Sequence, residues 1–184
     1  MKRFIAGLCT MLICSAGWAA GYPDRPIKLL IGFPPGGGTD VLARTLANKL
    51  SIELGQSVVP ENHPGASGIV AAQVVSRAPA DGYTIMFATS SVLAINSVTY
   101  KKLPYDPVKS FAPVSLVALM PMVVAVSPSL PASTLGELVA LAKAKPGGLF
   151  YGSTSGSIEL AAQLFEMSNG IKMTSIPYKG AAEA

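Results

Sequence analysis

The chain has 184 residues and a formal net charge of +4; half of its residues are hydrophobic, only 13% are charged, and there is one histidine. That composition excludes a disordered chain, and so small a positive charge excludes a nucleic-acid-binding surface. Length alone accommodates one domain, or one and part of another.

Lys2 and Arg3 precede an apolar run from Phe4 to Cys14 and a small-residue end at Gly17-Trp18-Ala19. These are the parts of a Sec-type signal peptide, residues 1–19, cleaved after Ala19. The apolar run is too short to span a bilayer, which disfavours the competing reading as an uncleaved anchor. Cleavage removes Lys2 and Arg3 and both cysteines, Cys9 and Cys14, leaving an exported chain with no thiol, disulfide or cysteine metal ligand. Leu8 and Ile13 stand where a lipoprotein cleavage site wants a small residue, so lipid anchoring is not expected.

Ile27 to Ile31 reads as a strand, and Phe33-Pro34-Pro35-Gly36-Gly37-Gly38-Thr39-Asp40 as its turn into a helix over Asp40 to Leu54. Leu42, Ala43, Leu46, Ala47, Leu50 and Leu54 share one stripe of that helix, and Gly55 stands at its C-terminal cap. Glycines remove the Cβ atoms that keep ligands off the main chain, and a helix N-terminus offers free N–H groups with about half a positive charge. The turn therefore suits an anion. A Walker A loop is excluded because Thr39-Asp40, not Lys-Ser/Thr, follows Gly38, and Val41 replaces the third glycine of a dinucleotide fingerprint. A tight turn without ligand is the plain alternative, in which Asp40 favours the helix dipole and hydrogen-bonds neighbouring amides.

The unit recurs at Val58-Val59, with the loop Glu61 to Gly68 and a helix from Ile69 to Arg77, and again at Thr84 to Ala88 followed by Thr89-Ser90-Ser91. Strands alternating with helices predict a parallel sheet whose loops share one edge, where a ligand crevice belongs. Tyr100 to Pro113, with three prolines, is an irregular connection, and strands are expected at Val114 to Leu119 and Met122 to Val126. Thr134-Leu135-Gly136-Glu137 is a capping box opening a helix to Ala144. A strand at Leu149 to Gly152 leads into Ser153-Thr154-Ser155-Gly156-Ser157, a helix from Ile158 to Asn169 capped by Gly170, and a final strand at Met173 to Ile176. Residues 20–121 are thus read as a first α/β lobe and 122–184 as part of a second, with the two small-residue loops facing each other.

Catalysis and metal binding find little support. Gly152-Ser153-Thr154-Ser155-Gly156 has threonine where a nucleophile elbow needs serine, and His63 is the sole imidazole, so no catalytic residue, zinc site or cofactor is expected. A hydrolase using Ser155 or Ser67 is the enzymatic alternative. Lys101, Lys102 and Lys109 form a short run that reads as solvated surface.

Tyr22-Pro23, Pro26-Ile27, Phe33 to Asp40, Glu61 to Gly65, Pro79-Ala80-Asp81-Gly82-Tyr83-Thr84, Leu103-Pro104-Tyr105-Asp106-Pro107 and Pro177-Tyr178-Lys179-Gly180 occur in that order. The set resembles the Bug-type solute receptors, the periplasmic binding proteins of tripartite tricarboxylate transporters, over nearly all of the chain after residue 19. The resemblance implies a type II periplasmic-binding-protein fold: a monomer whose two lobes of mainly parallel sheet close on a small carboxylate and deliver it to membrane permease subunits. It assigns ligand contacts to Phe33, Pro34, Pro35, Gly36, Gly37, Gly38, Thr39 and Asp40, to Gly65, Ala66, Ser67 and Gly68, and to Thr89 and Ser90. From the second lobe it adds Ser153, Thr154, Ser155, Gly156 and Ser157, with Tyr178 nearby. His63 stands where the family commonly has arginine, and the helix after Ser157 reads Ile158-Glu159-Leu160-Ala161 where a histidine is often found. Family members are considerably longer, so the second lobe is expected to be incomplete. Presentation of the ligand to a membrane sensor kinase, or a truncated fragment without function, are the alternatives.

Overall fold

The computed structural model describes residues 21–184; the signal-peptide reading, residues 1–19, lies outside them. Strand β1 (Ile27–Ile31) is the centre of a three-stranded parallel sheet, flanked by β2 (Val58–Asn62) and β3 (Thr84–Phe87). The register runs Ile27 to Val58 on one side and Lys28 to Thr84 on the other, so all three strands end on one edge. Four of the five β1 side chains, Ile27, Leu29, Leu30 and Ile31, are fully buried. A parallel strand covered on both faces has to be this apolar.

Helix α1 (Gly38–Leu54) joins β1 to β2 and lays Ala43 and Ala47 on Ile27, Leu29, Ile31 and Val58. Its left-handed C-cap is Gly55, as expected, whereas Leu54 at the end of the predicted stripe stays exposed. Helix α2 (Ile69–Ser76) supplies Ile69 and Ala72 to a second cluster with Val92 and Tyr105. Beyond β3 the chain forms a π-helical turn, Ser91–Ile95, that runs into the short α3 (Asn96–Thr99). The sequence reading assigned no element there, because Ser91, Asn96 and Ser97 interrupt any apolar period.

The strands expected at Val114 to Leu119 and Met122 to Val126 are absent. No described strand pairs with these residues, and their side chains are exposed: Val114 by 91%, Leu119 by 83% and Val123 by 85%. An apolar run marks a segment fit for a sheet, but a strand also needs a partner's N–H and C=O groups. Helix α4 (Leu135–Ala144) follows with both capping-box bonds formed between Thr134 and Glu137.

A second sheet pairs β4 (Phe150–Ser153) with β5 (Thr174–Pro177) in parallel, in the register Phe150 to Thr174. Helix α5 (Gly156–Asn169) connects them and ends at Gly170 in the left-handed conformation. Among the described residues, no helix is long and apolar enough to cross a membrane.

Candidate functional site: a cleft between two glycine-serine turns

The first wall is built where β1 stops. A Cβ on Gly32 would stand 2.7 Å from the Cα of Gly68, so the strand end and the turn after β2 meet backbone to backbone. Gly65, Ala66, Ser67 and Gly68 all have positive φ, 143°, 46°, 54° and 86°. For Ala66 and Ser67 that conformation costs about 1–2 kcal/mol each, and it persists only where neighbours hold it. One holder is Asn96, fully buried, whose Nδ2 donates to the Ser67 carbonyl at 3.2 Å.

The second wall is the turn from β4 into α5. Ser155 is the N-cap of α5, its Oγ spends its hydrogen bond on Ser157 Oγ at 3.0 Å, and the first amides of the helix have no partner within it. The walls come close at several places. Ser91 Oγ donates to Ser157 Oγ at 3.2 Å, a Cβ on Gly156 would come within 2.9 Å of Ile95 Cγ2, and one on Gly180 within 3.1 Å of Pro34 Cγ. Between the walls lies a cleft of about 800 Å³.

Among the described residues, two charged residues line the cleft, Glu159 and Lys179. Glu159 accepts from Tyr151 Oη at 2.9 Å, Ser175 Oγ at 2.7 Å and Gln163 Nε2 at 3.2 Å. Burial pushes its carboxyl upward, but the hydroxyls of Ser175, Ser153 and Tyr151 and the Gln163 amide, in that order, outweigh burial and hold it below the usual range. Burial, reinforced by Glu159, pushes the Tyr151 hydroxyl up.

The profile of the tripartite tricarboxylate transporter family receptor matches residues 42–184. The chain belongs to this receptor family. Protein BugT of Bordetella pertussis is 37% identical over the whole chain, which spans 59% of BugT. A protein of R. palustris solved with adipate superposes with a TM-score of 0.86 at 40% identity, covering 88% of this chain and 55% of that one. MatC from Rhodopseudomonas palustris, with bound malate, gives 0.76 at 27% identity, covering 88% of this chain and 56% of MatC. The receptor chain thus spans between half and three fifths of the relatives it matches, and its fold is theirs, the α/β periplasmic-binding-protein type. The family is one of receptors, not of enzymes.

Of the predicted contact residues in the receptor, Phe33, Pro34, Gly65, Ala66, Ser67, Ser153, Thr154, Ser155, Gly156 and Tyr178 line the cleft. Pro35 to Asp40 do not. Gly36 donates its amide to Asp40 Oδ2 at 3.0 Å, and a Cβ on Gly38 would face Met120 Cε at 3.7 Å. Asp40 is buried and also accepts from Arg44 Nε at 2.9 Å and Asn62 Nδ2 at 2.8 Å, while the same Asn62 amide donates to the Phe33 carbonyl. The Arg44 hydrogen bond above all, then those from Asn62 and Gly36, lower the Asp40 pKa to about 2 against the rise that burial alone would cause. The rest of the set stands outside as well. Gly68 is packed against Val92, Thr89 Oγ1 is buried without a partner, Ser90 is exposed, and Ser157 is bonded to Ser91. His63 faces Glu61 at 3.5 Å.

The contact set read from the sequence lacks Gly32, Pro64, Pro177 and Lys179, Thr99 and Tyr100 at the end of α3, and Glu159, Leu160 and Gln163 on α5. Spacing offered a signal for the last group, since residues 159, 160 and 163 share a helix face with the turn at 155–156.

Proposed function

We propose that this chain is the ligand-binding part of an extracytoplasmic receptor that captures a small carboxylate between its lobes and delivers it to the permease subunits of a tripartite tricarboxylate transporter. The carrying observation is the pairing of two small-residue turns, Gly65–Ser67 and Ser153–Gly156, on opposite walls of one cleft. Their amides and hydroxyls replace the water around a carboxylate, and each charge-assisted hydrogen bond contributes about 1.5–3 kcal/mol. The adipate and malate of the two relatives named above support a carboxylate here.

In this reading residues 20–121 are the first lobe and 122–184 belong to the second. Closure presses α5 onto the turn at Ser91–Ile95, and Gly156 allows the approach. The receptor works as a monomer in the periplasm, after export directed by residues 1–19. Calorimetry with a panel of di- and tricarboxylates and small aromatic acids, on the protein in its full natural length, tests this. Saturable binding of a carboxylate is expected, and a folded protein that binds none of the panel overturns the proposal.

A further inference from the structure

Among the described residues, the cleft lining includes one acidic residue, Glu159, and one basic residue, Lys179. Lys179 has no ion pair among the described residues. It follows Tyr178 out of β5, next to Gly180, which packs on Pro34 of the opposite wall, so its backbone stands on the side of the cleft where the lobes meet, and its amide donates to the Glu183 carboxylate at 3.3 Å. Glu159 lies one turn into α5, where Tyr151, Ser175 and Gln163 fill three of about four acceptor positions on the carboxylate.

Those donors serve the ionised form, so Glu159 does not escape repulsion by taking up a proton at neutral pH. A ligand with two carboxylates brings two negative charges to walls whose charges among the described lining residues, Glu159 and Lys179, cancel. One meets Lys179, and the other meets Glu159, a group that only accepts. A hydroxyl or ammonium at that position donates to Glu159 instead.

Resting on the carboxylate-receptor reading above, we propose that the natural ligand is a hydroxy- or amino-monocarboxylic acid, its carboxylate toward Lys179 and the Gly65–Ser67 turn and its donor group against Glu159. The cleft then rejects dicarboxylates of the same length by charge, not by size.

Isothermal titration of the full-length protein with adipate, hexanoate, 6-hydroxyhexanoate and 6-aminohexanoate, and with the corresponding four-carbon series, tests this. At one chain length or both, a donor-bearing acid is expected to bind at least about tenfold more tightly than the dicarboxylate and than the plain acid, and Glu159→Gln to shrink the first ratio below about threefold. Dicarboxylates binding as well as their hydroxy and amino partners at both lengths overturn the inference and leave the receptor reading standing. Plain acids binding as well as the donor-bearing ones overturn it too. If no member of either series binds, the inference fails, and the wider carboxylate panel decides whether the receptor reading fails with it. Should Glu159→Gln not fold, the ratios in the unaltered protein still decide.

Discussion

Asp40 Oδ2 accepts the amide hydrogen of Gly36 at 3.0 Å, so the anion seated on the glycine-rich turn is the protein's own. The carboxylate lies four residues after the amide it binds, at the start of α1, and Arg44 and Asn62 complete its shell. Through Asn62 the same group reaches the Phe33 carbonyl, which ties the turn to the end of β2 and sets the rim of the cleft.

That network makes stability depend on acid. Asp40 has a folded pKa of about 2 against an ordinary 3.8, so its contribution is complete above about pH 4 and is lost as pH falls from there toward 2. Asp40 is buried but Arg44 is 45% exposed, and solvent screening brings the contribution to about 1–2 kcal/mol. Asp40→Asn should lower the melting temperature at pH 7 and leave it nearly unchanged at pH 2. Equal losses at both pH values in thermal melts would contradict this account.

The capping box at the start of α4 offers a local test. Thr134 Oγ1 accepts from the Glu137 amide at 3.2 Å, and Glu137 Oε2 accepts from the Ser133 and Thr134 amides. Thr134→Ala is expected to cost about 1 kcal/mol and to speed amide exchange in the first turn of α4, leaving exchange in β1 unchanged. Hydrogen exchange read by residue checks both parts.

The parts of the fold legible in the sequence are those set by local chemistry. Gly55 and Gly170 mark left-handed caps, Thr134 and Glu137 a helix start, and the apolar run at Ile27–Ile31 a central parallel strand. Val114 to Val126 misled because apolar character does not supply a pairing partner. The glycine turn was legible as a turn, but which group takes its amides depends on Asp40, Arg44 and Asn62 meeting in space. Glu159 is absent from the contact residues read from the sequence for a similar reason, since its donors come from β4, β5 and α5 at once.

Gly156 sets how closely the walls approach. A Cβ there would lie 2.9 Å from Ile95 Cγ2, a branched methyl on the π-helical turn with little freedom to move aside. Gly156→Ala is therefore expected to hold the walls apart and weaken carboxylate binding about tenfold or more, with little change in melting temperature in the absence of ligand. Calorimetry beside thermal melts measures the two effects, and unchanged affinity would show that the walls need not meet this closely.

Asn96 holds the strained turn of the first wall from beneath. Its Nδ2 donates to the Ser67 carbonyl at 3.2 Å and stands 3.5 Å from Tyr105 Oη, which itself donates to the Val92 carbonyl at 2.8 Å. Asn96→Ala leaves the Ser67 carbonyl without that donor and should destabilise the protein by about 1–3 kcal/mol. If Asn96 acts by holding Ser67 at positive φ, glycine at 67 lessens the need for it, because glycine adopts that conformation without strain. Ser67→Gly should then recover about 1 kcal/mol of the loss in an Asn96→Ala background while changing the unaltered protein by less. Strict additivity in that double-mutant cycle would mean that Asn96 supports the core and not the geometry of the turn.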